Sequence, residues 1–219
     1  MLLVMIILGV TITRTPLGIL INERNLMSLS RFQMACWTIA VLGAYFTFAI
    51  ARIKAQVPDP LSIQIDWHLW TLMGISITSL VGTPLILSTK MGKEPDDAAL
   101  EKASRLVEES KKLIQANREG TLYANTNIKD ARFSDMFQGD EINNTAQIDL
   151  AKVQMFYFSV IAIVSFLVFV FRVISTANAN LAELPLLPDG LIALVGISNA
   201  GYLTSKSIDH TKVKPSGES

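Results

Sequence analysis

The chain has 219 residues, of which 50% are hydrophobic and only 17% are charged, whereas soluble domains carry about 25% charged residues. Its 19 basic residues equal its 19 acidic residues in number, so no positive excess indicates nucleic-acid binding. The single cysteine, Cys36, excludes a disulfide framework and any multi-thiolate metal site. The composition therefore predicts a helical integral membrane protein.

The first apolar stretch runs from residue 1 to about residue 21 and is interrupted by Arg14. A cleaved signal peptide carries positive charge before its apolar run, but here Arg14, Arg24 and Arg31 follow it. This order favours an uncleaved first span with its N-terminus outside, and an interfacial or processed segment is the alternative. We assign 1–27 to this N-terminal helix and its linker.

Four further stretches are apolar over roughly 20 residues, the length that a helix needs to cross a bilayer core about 30 Å thick. They are 33–51, 67–87, 153–171 and 186–203. Their interiors lack charged side chains, except for Asp189 near the start of the last stretch. The sequence thus predicts an all-α integral membrane protein with about five transmembrane helices.

The orientation follows from Lys and Arg near the helix ends, because cytoplasmic loops are enriched in these residues. Basic residues lie in 14–32, at Lys90 and Lys93, just before the third of the four strong spans, and after the last span. This distribution predicts five spans with the N-terminus outside and the C-terminus in the cytoplasm. Arg52 and Lys54 oppose this orientation, since they would lie outside.

An internal duplication organises the chain. The segment LSRFQM at 29–34 aligns with LAKVQM at 150–155, and LMGIS at 72–76 aligns with LVGIS at 194–198. The distance from the Gln to the Gly is 41 residues in the first copy and 42 in the second. Self-similarity at such equal spacing indicates a repeated structural unit.

Each copy is predicted to form a transmembrane hairpin, at 28–90 and at 149–207, which starts and ends on the inner side. Parallel repeats of this kind are related by an axis along the membrane normal. The second helix of each hairpin carries small residues at i, i+4 and i+8, which let helix backbones approach closely. They are Gly74, Thr78, Gly82, Gly196, Ala200 and Thr204. They predict an interface between copies of the chain or between repeats, with packing inside one hairpin as the alternative.

Polar side chains inside the spans are candidates for a pore lining or for hydrogen bonds between helices. They are Ser76, Ser79, Ser198 and Asn199. The absence of Asp, Glu and Lys from the span interiors argues against a coupled transporter. Four residues at the inner mouths are expected to contact lipid headgroups, with helix capping or an entrance lining as the alternatives for the two glutamines among them. They are Arg31, Gln33, Lys152 and Gln154.

Residues 91–148 form the predicted cytoplasmic helical segment, and 208–219 form a predicted disordered cytoplasmic tail. Within the segment, 96–117 carries apolar residues near heptad spacing, among them Ala103 and Ile114. Three heptads are marginal for a free coiled coil, so this helix needs a partner surface. That surface belongs to another subunit, to the rest of the segment or to a cytoplasmic protein, and a solvated helix is the alternative.

Motifs of enzymatic or metal chemistry are not found in the sequence. It contains no Walker-type loop, Gly-x-Ser-x-Gly elbow, His-Glu-x-x-His or Cys-x-x-Cys. Asp66 and His68 lie beside Trp67 and Trp70 at a membrane boundary, where an aromatic belt is a simpler interpretation than an acid–base pair. Residues 139–145 lack the ligand order of a calcium loop. We expect no catalytic residue, no cofactor and no metal.

Three parts of the chain resemble elements of uncharacterised bacterial integral membrane proteins with duplicated hairpins. They are SLSRFQMACWT at 28–38, FSDMFQGDE at 133–141 leading to DLAKVQMF at 149–156, and LVGISNAGYLTSK at 194–206. The resemblance implies a prokaryotic inner membrane, and it brings no activity, substrate or catalytic residue.

These observations together predict a non-catalytic, homo-oligomeric membrane scaffold or anchor. Its environment is the lipid bilayer, its cytoplasmic helix docks a protein partner, and nucleic acid is not a partner. The alternative is an oligomeric ion channel or pore lined by the Gly-Ile-Ser helices. A membrane enzyme is the third and least supported class.

Overall fold

The computed structural model describes residues 1–107, 114, 116–176 and 181–214, and four long helices dominate it. These are α2 (Leu29–Lys54), α3 (Trp67–Met91), α5 (Leu150–Ser175) and α6 (Asp189–Ser207). The shorter helices are α1 (Leu2–Thr13) and α4 (Asp97–Val107). Strands β1 (Arg118–Glu119) and β2 (Leu122–Tyr123) pair antiparallel and add a small β-hairpin to the predicted all-α fold.

Three of the long helices begin at a capping side chain, because the first N–H groups of a helix have no acceptor within it. The caps are Ser28, Asp66 and Asp149, and each accepts a hydrogen bond from a backbone N–H two or three residues later. Helix α6 instead follows Pro188. The predicted span starts at 33, 67 and 153 therefore lie at or shortly after the caps.

Three helices, α2, α3 and α5, are long and apolar enough to cross a membrane. Helix α6 has 19 residues and alternates polar side chains such as Ser198 and Asn199 with apolar ones. Helix α1 has 12 residues, a rise of about 18 Å, which is less than a hydrocarbon core about 30 Å thick. The predicted count of about five spans is not confirmed.

The four long helices form one bundle in which α2 packs on α3 and α5, and α6 packs on the same two helices. The hairpins α2–α3 and α5–α6 thus lie side by side and run in the same direction. At the inner ends, which face the segment between the hairpins, the Ser30 and Tyr202 hydroxyls lie 3.0 Å apart. At the outer ends, Gln64 exchanges backbone hydrogen bonds with Ala182 and Leu184.

Large apolar side chains fill the interior of the bundle. Those that are completely buried include Trp37, Phe48, Leu69, Leu72 and Phe166. The rings of Trp37 and Phe166 pack across the α2–α5 contact with their centroids 6.3 Å apart. In lipid, close packing of this kind holds helices together, because the surrounding chains are as apolar as the side chains.

The two copies of the repeat bury different faces of their helices. Buried positions 30, 33, 37, 40, 44 and 48 of α2 correspond to 152, 155, 159, 162, 166 and 170 of α5. Equivalent buried positions, such as Ser30 and Lys152, are thus 122 residues apart. The sequence alignment, which matches Gln33 with Gln154, has an offset of 121, so the two differ by one residue. One residue along an α-helix corresponds to a rotation of about 100°. The buried face of α5 is thus turned relative to that of α2.

The side-by-side arrangement explains this rotation. In a square of four helices, α5 faces α2 and α6, so its buried face must turn by about 90°, close to the rotation per residue. A two-fold axis along the membrane normal would bury the same face in both copies and would place α2 beside α6. The parallel repeats are therefore not related by a two-fold axis, because equivalent helices are neighbours.

Arg52, which opposes the predicted orientation, has a structural role at the outer end of the bundle. It is 8% exposed and donates hydrogen bonds to the backbone carbonyls of Asp59, Pro60 and Leu181. Because the first two carbonyls belong to one outer loop and the third to the other, Arg52 links the two hairpins.

Residues 94–107, 114, 116–148 and 208–214 form a compact inner unit below the bundle. Its small core contains Ala103, Ile114, Tyr123 and Ile142, with Leu100 packed against them, and Leu26 of the loop before α2 completes this core. The apolar side of α4 therefore packs against the rest of its own segment, which is one of the partner surfaces that the sequence left open for this helix. Residues 108–113 and 115 of the predicted 96–117 helix lie outside the described residues, and 116 and 117 are not helical.

The chain after α6 is part of the inner unit. Asp96 N donates a hydrogen bond to Lys212 O at 3.0 Å, and Lys214 N donates to Glu94 O at 2.9 Å. The predicted disordered tail is therefore wrong for 208–214, which pairs with the segment before α4. Residues 215–219 lie outside the described residues.

Candidate functional site

Six charged side chains form a buried ion cluster between the inner ends of the helices and the inner unit. They are Arg24, Lys90, Asp140, Glu141, Lys152 and Lys206, with side chains between 2% and 11% exposed. Three of the cations lie at the inner ends of α3, α5 and α6, and both acids come from the inner unit. Because an unpaired buried charge costs several kcal/mol, each of these groups needs its partners.

The two acids are held by a tight turn that requires glycine at position 139. A Cβ atom on Gly139 would lie 2.2 Å from the side-chain oxygen of Asn144. That oxygen accepts a hydrogen bond from Glu141 N at 2.9 Å, and Gly139 N donates to Gln147 O at 3.2 Å. The turn therefore points its acids at the helix ends.

Asp140 is shared by three cations from three parts of the chain. Its carboxylate lies 2.7 Å from Arg24 and 3.1 Å from Lys152, and it also accepts a hydrogen bond from Lys206. Burial alone would raise the pKa of Asp140, but the charges of the three cations outweigh burial and hold the pKa well below the usual carboxyl value. Asp140 is therefore an anion at every physiological pH.

Glu141 forms the second half of the ion cluster with Lys90. The Lys90 ammonium donates to Glu141 at 2.6 Å and to the backbone carbonyl of Ile208 at 2.6 Å. Glu141 also accepts from His210 N at 3.0 Å. The pair thus joins α3, the inner unit and the chain that leaves α6.

A ladder of buried polar contacts continues from the ion cluster into the bundle. Lys206 lies over the Tyr202 ring, 4.7 Å from its centroid, and the Tyr202 hydroxyl contacts Ser30 at 3.0 Å and Thr83 at 3.3 Å. The Gln33 amide then donates to Ser159 at 2.9 Å. The Lys206–Tyr202 contact lies within α6, and each of the others crosses between two helices, so the ladder ties together the inner half of the bundle.

The residues predicted as a pore lining or as interhelical contacts are all buried in the bundle. They are Ser76, Ser79, Ser198 and Asn199, each at most 4% exposed. Ser79 donates a 2.5 Å hydrogen bond to the side-chain oxygen of Asn199, and Asn199 donates to Val195 O at 2.8 Å. This geometry corresponds to the interhelical interpretation, because the contact closes the space between α3 and α6.

The small-residue positions divide into two groups. Gly82 and Gly196 lie at the α3–α6 contact, where an added Cβ would meet Leu203 at 3.4 Å and Ile75 at 3.6 Å. The other four are exposed on the outer sides of these helices: Gly74, Thr78, Ala200 and Thr204. Packing inside one hairpin therefore accounts for none of these four.

The four inner-mouth residues have different surroundings. Lys152 is buried in the ion cluster, and Gln33 is completely buried in the bundle, so neither is positioned at a headgroup. Gln154 is exposed on α5. Arg31 is 38% exposed in its side chain and lies 3.6 Å from Glu23. Only Arg31 and Gln154 can meet lipid headgroups directly.

A second polar contact joins the hairpins at the outer end. The His68 ring lies between two carboxylates: it hydrogen-bonds Asp66, its near neighbour, and contacts Asp189 at 2.7 Å. The backbone N–H of His68 also donates to Asp66 and, against the effect of burial, lowers the pKa of that carboxyl. The contact fixes the start of α3 beside the start of α6.

Sequence reasoning missed the ion cluster as a unit. Lys90 and Lys206 appeared only as charges that orient the chain, and Lys152 appeared as an inner-mouth residue. Asp140 and Glu141 appeared only in a segment that lacks the ligand order of a calcium loop. The available signal was that each lysine ends or begins a predicted span at the same side, next to an acidic pair in the intervening segment.

Every acid in the ion cluster has a cationic partner at hydrogen-bond distance, and within the described ranges no group of three His, Cys, Asp or Glu side chains could hold a metal ion. A comparison with family models finds no match to this chain, and comparisons with curated proteins and with solved structures find none either.

Proposed function

We propose that this protein is a non-catalytic, homo-oligomeric scaffold of the bacterial inner membrane. The observation that carries the proposal is the outward position of four small residues on α3 and α6. Gly74 has no atom within 4 Å of an added Cβ, and Thr78, Ala200 and Thr204 are exposed. Small residues on a lipid-facing surface let a second helix approach closely.

The exposed stripes are suited to lipid and to a second copy. The Thr78 hydroxyl donates to Gly74 O and the Thr204 hydroxyl donates to Ala200 O, both at 2.8 Å. Because both hydroxyls are paired within their own helix, the surface carries no unsatisfied donor. A partner helix therefore meets a flat face whose contacts are close packing.

The ion cluster supports the scaffold role by fixing the inner unit to the membrane helices. A partner docked on the inner unit would then be held in a set orientation. Within 96–117, the apolar side of α4 is used internally, so docking falls to the exposed charged side, which carries Glu101, Lys102 and Arg105.

We propose that α2, α3, α5 and α6 cross the bilayer, with the inner unit and the C-terminus in the cytoplasm. The distribution of Lys and Arg supports this orientation. Helix α1 enters the bilayer only partway, because its rise is about 18 Å. We therefore do not expect the N-terminus to lie outside the cell. Labelling of Leu2→Cys with a membrane-impermeant reagent tests this expectation, because labelling in intact cells would show that α1 forms a fifth span.

The channel alternative is less well supported. Its candidate lining residues Ser79 and Asn199 bond to each other across the α3–α6 contact. A pore would therefore have to lie between copies of the chain, on surfaces where α3 and α6 expose mainly apolar and small side chains, among them Ile77, Val81 and Ile197.

The test is the mass of the protein in lipid nanodiscs by native mass spectrometry. We expect an oligomer for the wild type and a monomer for Gly74→Leu combined with Ala200→Leu, because leucine holds the helix backbones apart. Gly43→Leu is the matched control, since Gly43 is a half-buried glycine on α2 with open space around an added Cβ. A monomeric wild type would exclude the proposed scaffold.

A further inference from the structure

A cavity of about 450 Å³ lies between the N-terminal segment and the α2–α3 hairpin, near the inner ends of both helices. Helix α1 contributes Met5 and the following turn contributes Ile19, while short side chains such as Ala35 and Thr38 of α2 leave the space open. The volume falls in the range of about 300–1,000 Å³ that is typical of ligand sites.

The far wall of the cavity is apolar, and its mouth is polar. Met5, Met34 and Leu80 line the apolar part, whereas Arg31 and Glu23 lie at the mouth. The mouth is at the first turn of α2, the depth at which a helix leaves the hydrocarbon for the headgroup layer. An amphiphile with one apolar chain and one polar head matches this division.

Arg31 is held only weakly by its present partner. Its guanidinium lies 3.6 Å from the Glu23 carboxylate, beyond hydrogen-bond distance, and the two side chains are 38% and 49% exposed. An exposed ion pair at this distance contributes little to the stability of the protein. A phosphate offers Arg31 two charge-assisted hydrogen bonds in a geometry that Glu23 does not provide here.

The charge behind the mouth favours an anion. The loop 21–27, closed by the Ile21–Met27 bridge, turns Glu23 outward and Arg24 inward. Arg24 joins Lys152 and Lys206 around the one carboxylate of Asp140. The pocket around these groups is also lined by Asp135, so its three cations exceed its two acids by one charge. Because Asn22, Ser28 and Thr83 line both this cavity and that pocket, the positive excess lies directly behind the cavity wall.

We propose that this cavity binds an anionic phospholipid of the cytoplasmic leaflet, with an acyl chain against the apolar wall and the phosphate on Arg31 in place of Glu23. The site belongs to one chain and does not depend on oligomerisation. Helix α1 then serves as the wall that holds the acyl chain against α2 and α3.

Two exposed substitutions test the headgroup contact with opposite expected signs. Protein in nanodiscs of phosphatidylglycerol and phosphatidylethanolamine is released into detergent, and the retained lipid is identified by native mass spectrometry. We expect the wild type to retain phosphatidylglycerol in preference to phosphatidylethanolamine. This preference should be about fivefold weaker in Arg31→Gln and stronger in Glu23→Gln. Unchanged preference in both variants would overturn the proposal.

A third substitution tests the apolar wall. Ala35→Trp fills the cavity and should abolish lipid retention, whereas Gly43→Trp, on the open face of the same helix, should leave it unchanged. Retention in Ala35→Trp equal to that of the wild type would place the lipid elsewhere and overturn the proposal. Inorganic phosphate should not displace the lipid, and displacement would mean that the site recognises a free phosphate.

Discussion

Lys90, one residue before the end of α3, donates a 2.6 Å hydrogen bond to Glu141 of the inner unit, and the two side chains are only 3% and 2% exposed. The same ammonium reaches the carbonyl of Ile208 after α6. One buried charge pair thus joins a membrane helix, the segment between the repeats and the C-terminal strand-like segment. The inner unit and the bundle are therefore one folded body.

Removal of one partner of this pair should destabilise the protein strongly. Lys90→Met leaves the Glu141 carboxylate buried without its cation, so we expect a loss of about 3–5 kcal/mol in the free energy of unfolding. The double variant Lys90→Met with Glu141→Gln should recover most of the loss. Chemical unfolding in detergent measures both.

Lys93→Met is the control for the Lys90 and Glu141 variants, because Lys93 is 36% exposed and pairs with Asp209 at the surface. It should cost no more than about 1 kcal/mol. If Lys90→Met behaved like Lys93→Met, the inner unit would not depend on the buried pair.

Acid should weaken the ion cluster through Asp140. Because its pKa in the folded protein lies well below the usual value, its contribution to stability is complete above the unfolded carboxyl pKa of about 3.9. The contribution is lost as the pH falls from there through the lower folded pKa. Asp140→Asn should therefore be less stable than the wild type at pH 7 and should lose less stability between pH 5 and pH 3.

The measurement is the unfolding midpoint as a function of pH. Asp97→Asn serves as the control, since the Asp97 side chain is 89% exposed in its contact with Lys214. It should follow the wild-type curve. If the unfolding midpoint of the wild type decreased with falling pH no more steeply than that of Asp140→Asn, the assigned role of Asp140 would be contradicted.

The rotation between the repeats predicts different effects at neighbouring positions of α5. Met155 is completely buried whereas Gln154 is exposed, although the alignment matches Gln154 with the buried Gln33. Met155→Gln should therefore cost about 1–3 kcal/mol, the usual cost of burying an unpaired amide. Gln154→Met should be neutral. Thermal unfolding in detergent distinguishes them, and the reverse order would mean that both repeats bury the same face.

The membrane class and the long helices could be read from the sequence, but the buried faces could not. Hydropathy marks a span because every backbone group must be bonded within the helix in lipid, yet the lipid-facing and protein-facing sides are both apolar. Leu29 and Leu150 are aligned and identical, but Leu29 is 2% exposed and Leu150 is 77% exposed. Only the neighbours of each helix decide which face is buried.

The ion cluster escaped sequence reasoning for a related reason. Lysine at the end of a span is usually a headgroup contact, so Lys152 and Arg31 look equivalent in the alignment. The difference arises from Asp140, which is 12 residues before Lys152 in the chain and 66 before Lys206. Contacts at such separations depend on how the inner unit folds, which local pattern does not specify.

A substitution at the Ser79–Asn199 contact has different expected results for a scaffold and for a channel. Asn199→Leu removes one interhelical hydrogen bond, so we expect a loss of about 0.6–1.7 kcal/mol in stability with the bundle intact. The wild type should give no unitary currents in planar bilayers. Reproducible currents that change in Asn199→Leu would favour the channel instead.

In the proposed oligomer, copies of the chain meet through the exposed small-residue faces of α3 and α6. The direct measurement is oxidative cross-linking in native membranes of single cysteines at Thr78 or Thr204, in a Cys36→Ser background that removes the one native thiol. We expect covalent dimers from at least one of these positions and none from Gly43→Cys on α2. Absence of dimers from both positions, or equal dimer formation from Gly43→Cys, would contradict the proposed oligomer.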